Sequence, residues 1–130
     1  MKSRRRTNER GYSSIELVLY MPLLVAAILV TVQFALVFLA HEFASAAARE
    51  ANRVARVTGD PAQGRAEGRR VVEDLGGGTL EDARVRVIVT EDTARTQVSG
   101  KAPRLIPWLR VVTVRETVQG PVERFDEDNG

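Results

Sequence analysis

The chain has 130 residues, no cysteine, one histidine and a formal net charge of +2. This length allows one small domain at most. The missing cysteines exclude disulfide bonds, thiol catalysis and cysteine-ligated metals, and a lone histidine argues against a histidine-based metal site. His41 lies at the end of an apolar stretch, where it cannot serve the serines as a catalytic base. We therefore expect no enzymatic activity, no metal and no cofactor.

The basic charge is concentrated at the amino terminus. Residues 1–10 hold five basic side chains against Glu9, a net charge of +4, whereas the remainder holds 14 basic and 16 acidic side chains. A short basic segment beside an apolar helix is an orientation signal that stays in the cytoplasm, and it is not a nucleic-acid footprint. We expect no nucleic-acid partner, and we expect residues 41–130 to lie outside the cytoplasm.

The apolar stretch itself predicts a membrane-spanning helix. From Leu17 to Ala40 the chain has 24 residues without a charge. As a helix this stretch is ~36 Å long, enough to cross a hydrocarbon core of ~30 Å with some tilt. Secretory signal peptides have a shorter apolar region, so we expect no cleavage at Ala44-Ser45-Ala46 and take the lipid bilayer as a partner.

Glu16 and Pro22, near the start of this stretch, each allow two interpretations. Ser13 and Glu16 fit a capping box, in which Glu16 at the third helical position also suits the positive end of the helix dipole. From the residues alone, a purely capping role and a functional role for Glu16 are equally open. Pro22 removes one helical hydrogen bond, which predicts either a simple bend or a site of local melting.

The layout of a basic leader, Gly11, Glu16 five residues later and a long apolar helix resembles the type IV prepilins. It is most similar to the TadE-like pseudopilins of the tight-adherence (Tad/Flp) secretion system. The runs that carry this resemblance are Glu16–Leu24, which contains Pro-Leu-Leu, and the alanine- and arginine-rich Ala46–Arg56. In the major Flp pilins a tyrosine follows the glutamate, whereas Leu17 follows it here, which favours the minor, pseudopilin branch.

The resemblance implies how the amino-terminal residues work. A prepilin peptidase would cut after Gly11, so that the mature chain begins at Tyr12. Glu16 would pair with the new amino terminus of a neighbouring subunit during assembly. Pro22 is also a candidate assembly residue, and for it both a simple bend and local melting during transfer from the bilayer into a filament stay open.

The implied function is that of a minor pilin or pseudopilin, a structural component in assembly of a Tad-type (type IVc) pilus or a related secretion apparatus. The implied partners are a prepilin peptidase, other pilin or pseudopilin subunits and assembly-platform proteins. The implied location is the cytoplasmic (inner) membrane, with the amino terminus inside, or the pilus at the cell surface. The alternative is an uncleaved single-pass anchor that presents a small extracytoplasmic binding domain.

Beyond Ala40 the helix is expected to continue to Thr58 as an amphipathic stem, ended by Gly59 and Pro61. Successive residues placed at 100° steps separate a polar face from an apolar face. The polar face consists of Glu42, Ser45, Arg49, Asn52, Arg53 and Arg56. The apolar face, with Phe43, Ala47, Ala51 and Val54, is a candidate contact for another subunit.

The remaining residues predict a small head. Asp60 is a helix N-cap for residues 61–75, and Gly76-Gly77-Gly78 is a linker. The stripe predicted for this helix is Gly64, Gly68, Val71 and Leu75. Alternation of apolar and polar residues predicts strands at 84–90, 94–99 and 111–118, and a short edge strand at 122–125.

The predicted fold class is therefore α+β and pilin-like. It combines a long amino-terminal transmembrane and amphipathic helix, a second short helix and an antiparallel sheet of three or four strands. The predicted divisions are a basic cytoplasmic leader at 1–11, the transmembrane helix and stem at 12–58, and an extracytoplasmic head at 59–130.

One loop carries more apolar side chains than a connection needs. Two prolines exclude a regular strand at 103–109, yet this segment includes Leu105, Ile106, Trp108 and Leu109. Either the loop folds back to cap the sheet and fill its core, or it is an exposed apolar contact for another pilin subunit or the membrane surface. The candidate contact residues are Leu105, Ile106 and Trp108.

Overall fold

A computed structural model describes residues 9–124 of the chain, with side chains from residue 14 onward. The helices are α1 (Glu9–Thr58) and α2 (Pro61–Gly76), and the strands are β1 (Glu81–Val89), β2 (Thr93–Lys101) and β3 (Thr113–Pro121). The strands form one antiparallel sheet in the order β1-β2-β3. The predicted α+β class, with its long amino-terminal apolar helix, is confirmed, and the sheet has three strands within the described residues.

The first helix has 50 residues and continues through Pro22. From Ser14 to Thr58 it is long and apolar enough to cross a membrane, and only 11% of its most apolar window is buried by the rest of the chain. The core helix of a soluble protein would be mostly buried instead. Because α1 begins at Glu9, Ser13 lies inside the helix, and the capping box predicted there is wrong.

The turn between the helices forms as the sequence predicts. Gly59 has a φ of 67°, and its amide donates to the Ala55 carbonyl at 2.9 Å, which is a glycine C-cap. Asp60 then caps α2 by accepting a hydrogen bond from the Ala62 amide at 2.7 Å. This hydrogen bond holds the pKa of the Asp60 carboxyl below its ordinary value. The two helices are therefore joined by a short turn in which Gly59 ends the first helix and Asp60 begins the second.

The core of the head is built on small residues of α1. Six alanines of this helix are completely buried: Ala40, Ala44, Ala47, Ala48, Ala51 and Ala55. The inner face of the sheet supplies Val85, Val87, Ala94, Val98 and Val114. Alanine carries one methyl group, so the sheet and α2 can come close to the α1 backbone, and the head packs directly on the helix with no linker between them.

Two glycines of α2 make the helix contact possible. A Cβ atom on Gly68 would lie 2.8 Å from Cγ1 of Val85 and 2.9 Å from Cβ of Ala51, and a Cβ on Gly64 would lie 2.9 Å from the Ala51 carbonyl oxygen. Real side chains do not approach that closely, so only glycine fits. The predicted stripe is confirmed at these glycines and wrong at Leu75, which is 52% exposed.

The buried face of the stem is rotated relative to the predicted one. Asn52, placed on the polar face by the periodicity, is 3% exposed and accepts a hydrogen bond from the Thr96 hydroxyl at 3.4 Å. Arg56 packs its stem against Gly120 and donates from Nε to the Pro121 carbonyl at 2.7 Å. The prediction failed here because both polar side chains find partners on the sheet.

The strands are longer than predicted and the edge strand is missing. β3 includes Gly120 and Pro121, which were expected to end it. Val122–Arg124 is not a strand, although the Glu123 amide donates to the Arg56 carbonyl at 3.1 Å, and Phe125 lies outside the described residues. Along β1 the predicted alternation is confirmed, with Val85 and Val87 buried and Arg84, Arg86 and Ile88 exposed.

We predict that Gly68→Ala destabilises the head, although alanine normally favours a helix over glycine by about 1 kcal/mol. The added methyl group overpacks the contact with Val85 and Ala51, a cost of about 1–3 kcal/mol. Denaturant unfolding of the full chain in detergent micelles measures this change.

Gly77→Ala is the matched control for this substitution. Gly77 is exposed, and its Cβ would meet nothing closer than the Glu73 carbonyl at 3.5 Å. A Gly68→Ala protein as stable as the control would show that the helices are not in close contact.

Candidate membrane and assembly site

The residues predicted to be processed lie in the first turns of α1. Gly11 and Tyr12 are helical in their backbone. The carboxylate of Glu16 follows on the exposed surface of the same helix. Among the residues whose side chains are described, Glu16 has no hydrogen-bond or ion-pair partner. The structure therefore leaves this carboxylate available for a group outside the chain.

A continuous apolar surface follows Glu16 along the helix. Leu17, Val18 and Leu19 are 64%, 73% and 72% exposed, and Pro22 is exposed as well. Phe34 and Phe38, further along, are 71% and 66% exposed. In water this surface would be strongly unfavourable, since each fully exposed large apolar side chain forgoes about 1.5–3 kcal/mol of burial. The surface is suited to lipid or to the helices of other subunits.

The loop between β2 and β3 contacts α1, where Gln33 holds it with two hydrogen bonds. Gln33 Nε2 donates to the Pro103 carbonyl at 3.0 Å, and the Leu105 amide donates to Gln33 Oε1 at 2.9 Å. Gln33 is 6% exposed, so both bonds are shielded from solvent by the chain itself.

The apolar side chains of this loop divide into two groups. Ile106 is 8% exposed and lies beside α1, where it lines a gap together with Val30 and Val37. Leu105 and Trp108 are more exposed, with exposed fractions of 50% and 85%. The interpretation of the loop as an apolar contact surface requires its side chains to be exposed. This is observed for Leu105 and Trp108 but not for Ile106.

The predicted contact face of the stem is largely occupied by the head. Ala47 and Ala51 are 0% exposed because α2 and the sheet cover them. Phe43 and Val54 are half-buried. The structure does not bring these stem residues together with the loop, so the predicted site residues form two separate surfaces.

Gln33 is the functional residue that the sequence interpretation missed. It was counted only as an uncharged member of the apolar stretch, yet it attaches the loop to the helix. Polar side chains within a membrane span usually face a partner inside the protein, and that rule would have singled out Gln33. Its partners are backbone groups of residues 103 and 105, which no sequence pattern identifies.

One part of the chain matches a known protein family. This part holds the glycine and glutamate of the amino-terminal layout, the long exposed apolar helix and most of the alanine-rich stem. Residues 11–53 are a TadE-like protein domain. The matched residues include Gly11, Glu16, Pro22 and most of the alanine face, and they end before α2 and the sheet. No match was found among curated proteins or among solved structures.

The TadE-like domain is thus the part of α1 that carries the apolar surface and most of the stem. The single amino-terminal apolar helix is consistent with single-pass membrane anchoring. The β2–β3 loop contacts this domain through Gln33, although the loop itself lies outside the matched residues.

We predict that Gln33→Leu releases the loop from α1. The variant leaves the Leu105 amide and the Pro103 carbonyl without partners, at a cost of about 1–3 kcal/mol for a buried unsatisfied group, so amide exchange at Leu105 should accelerate roughly tenfold. Hydrogen–deuterium exchange of the full chain in micelles, resolved by peptide, measures this. Gln119→Leu, on the exposed face of β3, is the matched control, and unchanged exchange at 103–109 in Gln33→Leu would contradict the role of Gln33.

Proposed function

We propose that the protein is a minor pilin, or pseudopilin, that takes part as a structural component in assembling a Tad-type pilus or a related secretion apparatus. The observation that carries this proposal is the exposed Glu16 carboxylate at the start of a TadE-like apolar helix. An enzyme would need convergent polar groups in a cleft, whereas the exposed features of α1 are apolar and suited to lateral contact. We accordingly propose a non-enzymatic role without a cofactor.

In the proposed membrane anchoring, the charge of Glu16 carries an energetic cost. An acidic side chain costs about 2.5–3.5 kcal/mol at the centre of a membrane helix, and less near its end. A free amino terminus on a neighbouring subunit, created by cleavage between Gly11 and Tyr12, would offset that cost with an ion pair. Because the charge pair exists only between subunits, it stabilises the assembly and not the isolated chain.

Cleavage after Gly11 requires the first turn of α1 to open. Glycine in a helix costs about 1 kcal/mol relative to alanine, and the first turn lacks half of its backbone hydrogen bonds. Both effects favour local opening at the proposed scissile bond. A prepilin peptidase is therefore the proposed processing partner, and removal of residues 1–11 would also remove the basic leader.

The proposed arrangement places the chain across the cytoplasmic membrane, with residues 1–11 inside and the head outside. The leader carries a net charge of +4, which the positive-inside bias keeps in the cytoplasm. Other pilin subunits and assembly-platform proteins would contact the exposed helix surface. Pro22 lies on that surface, and local melting there during transfer into a filament is part of the proposal.

We predict that Glu16→Gln leaves membrane insertion and cleavage after Gly11 intact but abolishes filaments. Glutamine preserves the size and hydrogen-bonding capacity of the side chain and removes the charge, so an ammonium group in the assembly loses its partner at a cost of several kcal/mol. Intact-mass spectrometry of the membrane fraction should show a mature chain that begins at Tyr12. Shearing and microscopy of the same cells should show no surface filaments.

Glu42→Gln is the control, because Glu42 is an exposed carboxylate at the other end of the apolar stretch. It should leave filaments unchanged. Normal filaments from Glu16→Gln would remove the proposed charge pair. A wild-type chain that still begins at Met1 beside its own prepilin peptidase would favour the uncleaved anchor with a binding head.

A further inference from the structure

The β2–β3 loop lies at the depth of the membrane. The first charged or titratable side chains beyond the apolar stretch are His41 and Glu42, and His41 Nε2 contacts the carboxylate of Glu116 on β3. These groups require water or headgroups around them. The loop is attached at Gln33, eight residues before His41, or ~12 Å along the helix axis. The loop therefore extends from the head toward the bilayer and past the level of these charges.

The length of the apolar stretch gives a closer value for the depth of the loop in the hydrocarbon core. A hydrocarbon core of ~30 Å takes ~20 helical residues, which reaches from Leu17 to about Leu36. Gln33 is then ~5 Å and Leu29 ~10 Å inside the outer boundary of that core. Segments that lie in a membrane interface bury their apolar side ~5–10 Å deep, which is the same range.

The chemistry of the loop matches this position. Trp108 and Leu105 line a gap beside Leu29 of the helix, and Trp108 also borders a longer gap that runs along α1 from Leu17 to Leu29. Trp108 is 85% exposed. Leu109, Val111 and Val112 are 37%, 44% and 39% exposed. Tryptophan is the residue most typical of the membrane–water boundary, because its ring is apolar and its N–H needs a polar partner.

Charged residues stand at both ends of the apolar segment. Arg104 and Arg110 flank residues 105–109, and both are exposed. Arginine can keep its aliphatic stem in the apolar region while its guanidinium reaches the phosphate groups. Within the described residues Arg110 has no ion-pair partner, and Arg104 donates only to the Leu109 carbonyl, at 3.3 Å.

We infer that residues 104–112 form a second membrane contact, in which Leu105, Trp108 and Leu109 insert into the outer leaflet beside α1. This rests on the proposed membrane anchoring and goes beyond it. The occupant of the exposed apolar surface is lipid, because the surface is continuous with the lipid-facing side of α1. The loop would fix how deeply the head sits and would hold the head upright on the membrane.

The single tryptophan of the chain reports on this contact directly. The full chain is reconstituted at low protein density into phosphatidylcholine vesicles whose acyl chains carry bromine near the glycerol end or near the chain terminus. We expect blue-shifted Trp108 emission and loss of most of it to bromine on the acyl chains. Bromine near the terminus should quench at least as strongly as bromine near the glycerol end, because Leu29 lies ~10 Å deep in a leaflet core of ~15 Å. A double variant, Trp108→Phe with Ile88→Trp, moves the reporter to the exposed face of the sheet and should show no quenching.

A second variant tests the insertion itself. Leu105→Asp should draw the loop out of the leaflet and abolish quenching of Trp108, whereas Ile88→Asp, on the outer face of the sheet, should leave it unchanged. Circular dichroism of each variant checks that the fold is kept. Flotation with the vesicles separates the two proposals, since a chain that does not float contradicts anchoring as well as insertion.

Two results in a chain that floats would overturn the loop inference alone. Trp108 emission typical of water, without quenching, would show that the loop stays in the aqueous phase. Blue-shifted emission that is not quenched by brominated lipid and that rises with protein density would show that a second copy of the chain covers the loop.

Discussion

The alanine face of α1 is the constraint on which the rest of the structure depends. Between Ala40 and Ala55, six buried alanines present only methyl groups to the head, so α2 and the sheet approach the helix closely. Gly64 and Gly68 of α2 complete the contact, since a Cβ at either would overlap its neighbours. A larger side chain on either helix would separate the head from the stem.

This close contact has a consequence for the lower half of the helix. The head is attached to the same continuous helix that carries the apolar surface, so in the proposed membrane anchoring the helix would set the depth of the head relative to the bilayer. The loop between β2 and β3 extends the head along that helix, and the two hydrogen bonds of Gln33 keep it there. One helix therefore positions the membrane span, the head and the loop together.

Several local signals in the sequence were sufficient, although the capping box at Ser13 and the end of β3 at Gly120 were not. The apolar length of α1, the Gly59 cap, the Asp60 N-cap and the alternation along β1 all depend on neighbouring residues, and the structure has each of them. The sequence was insufficient where a side chain has a distant partner. Asn52 and Arg56 look solvent-facing by periodicity, yet each finds a hydrogen-bond partner on the sheet.

The same contrast between local signals and distant partners applies to the proposed functional residues. The spacing of Gly11 and Glu16 is readable in the sequence, and their proposed roles follow from the TadE-like domain at residues 11–53. The partners of Gln33 and the position of Trp108 could not be read from the sequence, because the loop is about 70 residues away from the helix residue that holds it. The stripe of Gly64 and Gly68 on α2 was readable from the sequence, whereas their close contacts with Ala51 and Val85 were not.

The orientation of the chain in the membrane is the claim on which both the assembly role and the loop insertion rest. The chain has no native cysteine, so a single Glu91→Cys reports its own location. Glu91 is exposed and lies next to Asp92 in the chain. The Asp92 carbonyl accepts a hydrogen bond from the Val122 amide, near the end of the stem. The account predicts full labelling by a membrane-impermeant maleimide in intact spheroplasts, while Ser3→Cys, in cells without a prepilin peptidase, is labelled only after lysis. The reverse pattern would contradict the account.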